Sequence, residues 1–272
     1  MPQIDSNGIS LHYTDTGGNG RPVVLIHGWP LSGASWSEQV PALTEAGHRV
    51  VTYDRRGFGD SEKPEGGYDY DTFAADLAGL LEGLDLQDVT LVGFSMGGGE
   101  TARYVGRYGE DRIHSVVFAG AIPPYLLKTD ENPDGGLGEE DVKGMEQGAS
   151  EDREGFLDGF TTGFFSANGE LKVTEEQRQE ALALQKLARD EAVIACIGAF
   201  GRTDFRNDLE RVTVPTLVIH GDSDAIVPFE VSGKRTAVTI SGSTLVVVED
   251  APHGFNVSHA EEFNEALLDF VG

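Results

Sequence analysis

Short apolar runs alternate with segments of helical periodicity along most of this chain. The pattern predicts buried strands, each a mostly apolar run of strand length, at residues 23–27, 50–53, 89–94, 115–119, 216–220 and 244–248. Residues 9–16 alternate apolar and polar side chains, as an exposed antiparallel strand would. A helix is predicted by large apolar residues at helical spacing, namely Phe73, Leu77, Leu80, Leu81 and Leu84, and residues 255–270 predict a last helix. This alternation predicts an α/β fold with a mostly parallel sheet and helices on both faces.

The alternation stops in the middle of the chain. Residues 130–154 are rich in glycine and acidic side chains, which predicts an exposed loop with little regular structure. A capping box from Thr174 to Gln177 then predicts the start of a helix that carries Leu182, Leu187, Val193 and Ile194. We interpret residues 123–212 as a helical lid, inserted between two sheet strands of a core formed by residues 1–122 and 213–272.

The lid would follow the carboxyl end of a sheet strand, which is where open α/β sheets bind their ligands. Its large apolar residues are therefore candidates for the walls of a pocket. For each of them, packing within the lid itself is the alternative: Phe156, Phe160, Phe164, Phe165 and Phe200.

A candidate nucleophile follows the strand at residues 89–94. The segment Gly93-Phe94-Ser95-Met96-Gly97 is a G-x-S-x-G motif between that strand and a stretch compatible with a helix. In this context the motif predicts a nucleophile elbow. Strand and helix pass so close together in such a turn that there is no room for a Cβ atom, and the two glycines meet this requirement. We expect the Ser95 hydroxyl to stand at the sheet edge, with the Met96 N–H directed at the reacting oxygen.

A serine nucleophile needs a base, and the base needs an acid that orients it. His253 is the favoured base among the 7 histidines, because it follows the strand at residues 244–248. Asp222 and Asp224 both follow the preceding strand, and spacing alone does not choose between them, although Asp222 also fits a turn-forming aspartate. The other histidines receive non-catalytic predictions: loop shaping for His27 and His220, a helix face for His259, and peripheral positions for His12, His48 and His114.

A second oxyanion donor should come from a loop after an early strand. The segment His27-Gly28-Trp29-Pro30 is in that place, and Pro30 restricts the backbone of Trp29, which would fix the direction of its N–H. The charged segment at residues 54–61 follows another strand. We interpret it as a buried or half-buried ion network that holds the loops near the site.

Composition limits the partners and the location. The chain has 46 acidic and 20 basic residues, for a formal net charge of −26, and this field would repel nucleic acid and anionic membranes. An apolar leader is missing from residues 1–20, and no apolar run approaches the ~20 residues of a membrane span. The single cysteine, Cys196, lies in an apolar run and predicts an inert buried thiol. We expect a cytoplasmic protein, and the absence of phosphate-loop, zinc and dinucleotide patterns predicts no cofactor or metal.

Lysine is scarce beside arginine, and this balance is typical of salt-adapted surfaces; the lysines are Lys63, Lys128, Lys143, Lys172, Lys186 and Lys234. We hypothesise that salt stabilises the fold by screening its self-repulsion, with ordinary acidic solubility as the alternative. A Tm that stays flat or falls between low and molar salt would rule the hypothesis out.

Five motifs together resemble those of the cofactor-free haloperoxidases and their related aryl esterases, within the α/β-hydrolase superfamily. They are His-Gly-Trp-Pro, Asp-Arg-Arg-Gly-Phe-Gly-Asp-Ser, Gly-Phe-Ser-Met-Gly-Gly-Gly-Glu, His-Gly-Asp-x-Asp-x-Ile-Val-Pro and Pro-His-Gly. The resemblance extends over roughly residues 9–270 and is weak at residues 130–154. It implies roles for individual residues: Ser95 as nucleophile, Asp224 as acid, His253 as base, and the backbone N–H groups of Trp29 and Met96 as oxyanion donors.

The resemblance also implies an activity. Enzymes of this kind hydrolyse short acyl esters, and they convert carboxylic acids and hydrogen peroxide into peracids that oxidise halide without further help. Pro30 follows the oxyanion tryptophan, Trp29, and in this the chain resembles family members that are biased toward perhydrolysis. Candidate pocket residues are Trp29, Phe160, Phe164 and Val227, and a homo-oligomer is compatible with the sequence. The alternatives are a lactone, amide or carbon–carbon bond hydrolase with the same triad, and a non-catalytic ligand receptor on this fold.

Overall fold

The computed structural model describes residues 2–272. Within that range, eight strands form one sheet in the order β1-β2-β4-β3-β5-β6-β9-β10. The strands are β1 (Gln3–Ser6), β2 (Ile9–Asp15), β3 (Pro22–Ile26), β4 (Arg49–Tyr53), β5 (Val89–Phe94), β6 (Ile113–Ala119), β9 (Thr216–Gly221) and β10 (Thr244–Val248). A separate hairpin pairs β7 (Ser166–Ala167) with β8 (Glu170–Leu171).

The α-helices fall into two groups along the chain. Those that accompany the sheet are α1 (Gln39–Glu45), α2 (Tyr70–Gly83), α3 (Met96–Tyr108), α9 (Gly233–Thr239), α10 (Phe255–Ser258) and α11 (Ala260–Val271). Those between β6 and β9 are α4 (Glu139–Glu151), α5 (Arg153–Phe164), α6 (Glu175–Lys186), α7 (Asp190–Arg202) and α8 (Arg206–Leu209).

The sheet is parallel except at one side. β2 pairs antiparallel with β1 and β4, whereas β4, β3, β5, β6, β9 and β10 pair in parallel. The carboxyl ends of the parallel strands therefore meet at one edge. The segments that follow β3, β5, β9 and β10 carry the candidate site residues, so strand pairing alone brings them to the same edge.

Helices cover both faces of the sheet, as the alternation predicts. On one face Phe73, Leu77 and other apolar residues of α2 are buried in one core cluster. On the other face Trp36 packs with Phe263 and Leu267 of α11 in a second cluster. Each strand position in β5 is buried, since the strand is covered from both sides. The predicted α/β architecture is confirmed.

The structure corrects several details. The first predicted strand is not exposed: β1, which the pattern missed, pairs with β2, and Leu11 is fully buried. Residues 130–154 are not irregular throughout, because α4 forms there with acidic side chains in its first turn, where the helix dipole favours them. The capping box at Thr174 does start a helix, but this helix ends at Lys186 and a second one, α7, begins at Asp190. The last helix is interrupted at His259.

A search of residues 2–272 finds no helix with the length and hydropathy that a membrane crossing requires.

Candidate active site

Ser95 occupies a sharp turn between β5 and α3. Its backbone has φ 54° and ψ −119°, a conformation that residues other than glycine rarely adopt. The neighbouring glycines make the turn possible, because a Cβ atom on Gly93 would lie 2.5 Å from the Gly97 carbonyl oxygen. A Cβ atom on Gly97 would in turn collide with the carbonyl oxygen of Ile26 in β3. The local geometry is that of a nucleophile elbow.

Hydrogen bonds connect three predicted site residues in a chain. His253 Nε2 lies 2.9 Å from Ser95 Oγ, and His253 Nδ1 lies 2.6 Å from Asp224 Oδ2. The tautomer that satisfies both contacts has its proton on Nδ1, so Nε2 can accept the serine proton. All three residues are buried, with exposed fractions of 6% for Ser95, 5% for Asp224 and 1% for His253.

The Asp224 carboxylate accepts hydrogen bonds at both oxygens. Its Oδ1 accepts from the N–H groups of Ile226 and Val227, at 2.9 and 2.8 Å. Its Oδ2 faces His253 and also His220, whose Nε2 is 3.3 Å away. Burial alone would raise the pKa of Asp224, but the charge of His253 and the hydrogen bonds from both imidazoles outweigh it, so the pKa lies below its ordinary value.

The alternative acid, Asp222, has a different environment. It is exposed, and its Oδ1 accepts from the Ser223 hydroxyl and the Asp250 N–H. These contacts tie together the loops after β9 and β10. Asp222 therefore shapes the loop, as an aspartate in a turn does, and the structure brings Asp224 rather than Asp222 to His253.

Two aromatic rings hold the imidazole of His253. The centroids of Phe94 and Phe164 each lie 5.2 Å from its ring. The Phe164 carbonyl also accepts from the Gly254 N–H at 2.7 Å. Phe164 thus packs beside the base. We predicted it as a pocket residue, but it does not line the cavity at Ser95.

The loop after β3 lies directly against the elbow. A Cβ atom on Gly28 would stand 3.0 Å from the Cβ of Ser95, so only glycine leaves room for this approach. The next peptide bond, between Trp29 and Pro30, is cis. Within residues 2–272, the backbone N–H groups of Trp29 and Met96 have no hydrogen-bond acceptor, which leaves both available to an oxyanion.

A buried polar network supports this loop from behind. His27 Nδ1 donates to the Gly28 carbonyl at 2.8 Å, and its Nε2 accepts from the Arg55 N–H at 3.0 Å. Arg55 also donates to the His27 carbonyl and pairs with Glu100 at 2.7 Å, and both charged groups are fully buried. Burial, together with the Arg55 charge, lowers the pKa of His27 well below its ordinary value, so the ring stays neutral. The predicted ion network therefore exists, although Arg55 finds its partner in α3.

A small cavity opens at Ser95, with about 40 Å³ of room for the centre of a water molecule. Trp29, Phe160 and Val227, which we predicted for the pocket, line it. Phe200, one of the lid residues that are candidates for a pocket wall, lines it as well. Five further apolar wall residues were missed: Ile122, Leu126, Leu137, Met145 and Ile226. Larger surface pockets of about 340 and 420 Å³ do not reach Ser95, so we take the small cavity as the candidate acyl site.

One group of potential metal ligands occurs in the described part of the chain: His12, Asp54 and Asp60. The Asp54 carboxylate already accepts the N–H groups of Gly33 and Asp60, both at 2.7 Å, and His12 Nδ1 lies 3.0 Å from it. The group therefore serves as a hydrogen-bonded loop anchor, and His12 is buried, not peripheral as predicted.

Cys196 has the environment that its sequence context predicts. It is fully buried, and burial raises the pKa of its thiol to about 12. A thiol with such a pKa is almost entirely protonated at neutral pH, which makes it a poor nucleophile.

The fold and this geometry define a class of protein. Residues 21–260 match the family model described as alpha/beta hydrolase fold, and the chain belongs to that family. It is 44% identical to a non-heme chloroperoxidase, CPO-A1, of Kitasatospora aureofaciens, over 97% of each chain. It is 37% identical to the bifunctional esterase/perhydrolase DCH of Acinetobacter calcoaceticus, again over 97% of each chain.

A solved structure gives the same picture. The bromoperoxidase of Bacillus anthracis superposes with a TM-score of 0.95 at 56% identity, over 97% of this chain and 95% of that one. The resemblance to cofactor-free haloperoxidases and related esterases, which the motifs indicate, is thereby confirmed.

Proposed function

We propose that this protein is a serine hydrolase that cleaves small carboxylic esters through an acyl-enzyme. The observation that supports it most is the hydrogen-bond chain from Ser95 through His253 to Asp224, with Ser95 at the wall of a small, mostly apolar cavity. The similarity to a bifunctional esterase/perhydrolase agrees with this chemistry.

The first half of the reaction forms the acyl-enzyme. Ser95 Oγ attacks the ester carbonyl carbon while His253 Nε2 takes the hydroxyl proton. The negative charge moves to the carbonyl oxygen, where the N–H groups of Trp29 and Met96 stabilise it. The tetrahedral intermediate then collapses, and His253 passes its proton to the departing alkoxide. Asp224 keeps the imidazole oriented and stabilises its cation.

The second half depends on the attacking nucleophile. Water attack on the acyl-enzyme, with His253 as base, releases the carboxylic acid and restores Ser95. Hydrogen peroxide attack at the same carbonyl releases a peracid, which can oxidise halide in solution without contact with the protein. We propose both outcomes, because the relatives include chloroperoxidases as well as the esterase/perhydrolase. The chain needs no metal or organic cofactor for either step.

We further propose that residues 123–212 act as a lid over a core of residues 1–122 and 213–272. Support comes from Phe160 of α5 and Phe200 of α7, which face the core residue Trp29 at ring-centroid distances of 4.9 and 5.4 Å. The Trp29 indole also donates to the Val193 carbonyl of α7 at 3.1 Å. The composition also leads us to propose a cytoplasmic location. A homo-oligomer stays a prediction.

A panel of nitrophenyl esters of increasing acyl length tests the proposal, run with and without hydrogen peroxide and bromide. We expect fastest turnover of acetate and propionate esters, and bromination only when peroxide is present together with an acyl donor, either an ester or a carboxylic acid. Ser95→Ala should fold normally and lose both activities. Esterase activity retained in that variant would refute the proposed mechanism.

The same panel separates the alternatives. Lactones, amides and dienones can be added as substrates, because their hydrolysis would use the same three side chains. A ligand receptor on this fold would bind such compounds without turnover, so a rate indistinguishable from the Ser95→Ala background would favour that class.

A further inference from the structure

Asp224 has a second imidazole neighbour that the proposed mechanism does not use. His220 is the fifth residue of β9 and is completely buried. Its Nε2 lies 2.8 Å from the Val227 carbonyl oxygen and 3.3 Å from Asp224 Oδ2, the same oxygen that receives the His253 proton donor. Two histidines therefore approach one carboxylate oxygen, His220 from β9 and His253 from the turn after β10.

The surroundings of His220 indicate which nitrogen carries its proton. Nε2 faces two oxygen acceptors, which only an N–H can satisfy. Nδ1 has no hydrogen-bond partner within residues 2–272. The neutral tautomer with its proton on Nε2 fits both contacts: the N–H donates a hydrogen bond to the Val227 carbonyl and stands 3.3 Å from Asp224 Oδ2, close enough to act on its charge.

Packing keeps the ring at this position. The Phe229 ring contacts it with centroids 5.7 Å apart. Gly233, at the start of α9, lies so close that a Cβ atom there would stand 2.5 Å from Nδ1. The imidazole therefore has little freedom to turn away from the carboxylate.

We propose that His220 is a positioning residue, which fixes Asp224 Oδ2 and shares its charge so that His253 is held in the productive orientation. The inference rests on the proposed acyl-enzyme mechanism. The backbone N–H groups of Ile226 and Val227 hold only Oδ1. His220 thus brings the only N–H group, besides that of the base itself, that the described residues 2–272 place beside Oδ2.

The electrostatics of the site predict a measurable consequence. The charged and titratable groups that act on Asp224 in the described chain are the two imidazoles, His253 and His220. A carboxylate that loses one hydrogen-bond donor attracts a neighbouring cation more strongly. Without the His220 donor, the His253 imidazolium should be stabilised and should lose its proton only at higher pH.

The experiment compares His220→Leu with His220→Gln. In His220→Leu we expect the acidic limb of the pH profile of kcat/KM to move to higher pH. The plateau of this profile should fall about tenfold, which is the size of effect expected when one polar contact is lost. KM should stay constant because His220 does not line the cavity. His220→Gln should restore the limb, since its amide N–H can donate from the position of Nε2.

Other results would overturn the proposal. An acidic limb that does not move in His220→Leu, or moves equally in both variants, would mean that the donor has no such role. The matched control is His114→Leu. His114 is half-buried near the start of β6, at the end of the strand away from the site, so this variant should leave the acidic limb of the pH profile in place. If His220→Leu does not fold, Gly233→Ala displaces the ring instead and should move the limb in the same direction.

A readout that does not depend on turnover keeps this inference separate from the proposed function. NMR titration of His253 should show the same upward shift in His220→Leu and not in His220→Gln. Activity retained in Ser95→Ala would defeat the proposed mechanism alone, whereas an unmoved His253 titration would defeat the positioning role alone.

Discussion

The carboxyl edge of the sheet and the helices between β6 and β9 contribute to the candidate site in different ways. The sheet edge supplies buried polar groups whose hydrogen bonds are specified at both ends, as in the Asp224–His253 pair. The intervening helices supply aromatic walls, such as Phe160 and Phe200, and present their charges to solvent. In the proposed mechanism the first region supplies the reacting groups, and the second shares the walls of the cavity with core residues such as Trp29 and Val227.

Ion pairs show the difference in energetic terms. The Arg55–Glu100 pair behind the oxyanion loop is fully buried, so removal of one partner leaves an uncompensated charge in the core. Arg202 of α7 pairs with Glu139 and Glu146 of α4, but all three side chains are partly exposed. Solvent screens such pairs, and they contribute little to stability.

The largest expected effect comes from the acid at the sheet edge. Asp224→Asn should lower kcat by about 10⁴-fold, as the equivalent change does in other Ser-His-Asp enzymes, because the amide favours the wrong imidazole tautomer. Asp222→Asn is the matched control, and its exposed loop position should leave kcat near that of the wild type. Steady-state kinetics on a nitrophenyl ester measure both, and equal losses in the two variants would contradict the assignment.

Breaking the buried pair should have the next largest effect. Arg55→Met should reduce the free energy of unfolding by about 3–5 kcal/mol, because Glu100 is left buried without its cation. The double variant Arg55→Met/Glu100→Leu should recover much of this loss. Urea denaturation checks the prediction, and a loss below about 1 kcal/mol in the single variant would place this pair with the surface pairs.

A change in the wall should alter selectivity. Phe160→Ala enlarges the cavity, so the ratio of kcat/KM for a butyrate ester over an acetate ester should rise about tenfold, within the usual range for one or two methylene groups in a pocket. Phe156→Ala, also half-buried on α5 but outside the cavity, is the control. An unchanged ratio in Phe160→Ala would show that this ring does not limit the acyl chain.

The smallest effect is expected at the surface of the inserted helices. Arg202→Ala should cost at most about 1 kcal/mol of unfolding free energy, and molar salt should reduce even this difference. The measurement is the same urea titration, performed at low and high salt. A loss comparable to that of Arg55→Met would show that α4 and α7 depend on these charges for their packing.

The same division explains what could be predicted from sequence. The strands at the sheet edge are short apolar runs with motif residues directly after them, so their positions along the chain and their shared edge could be predicted from periodicity. The order of the strands in the sheet was not predicted. The choice of Asp224 over Asp222 needed the family resemblance, because both lie past the same strand. His220 was missed as a partner of Asp224, since no local pattern reveals a contact made by the turn that follows it.

The inserted region was harder for a physical reason. In α4 only Val142 and Ala149 are buried, and the helix is acidic and contains Gly144 and Gly148, so its composition resembles that of a loop. Phe160 and Phe164 occur one helical turn apart, yet one lines the cavity and the other packs against His253. The direction that each ring takes depends on tertiary contacts, which periodicity does not contain.

Labelling with a fluorophosphonate tests the central claim most directly, because the reagent reacts with a serine that a neighbouring base activates. Mass spectrometry should show one adduct per chain, on Ser95, and no adduct in Ser95→Ala. His253→Ala should fold and react far more slowly, since the serine proton then has no acceptor. Labelling at another residue, or equal labelling rates with and without His253, would contradict the account.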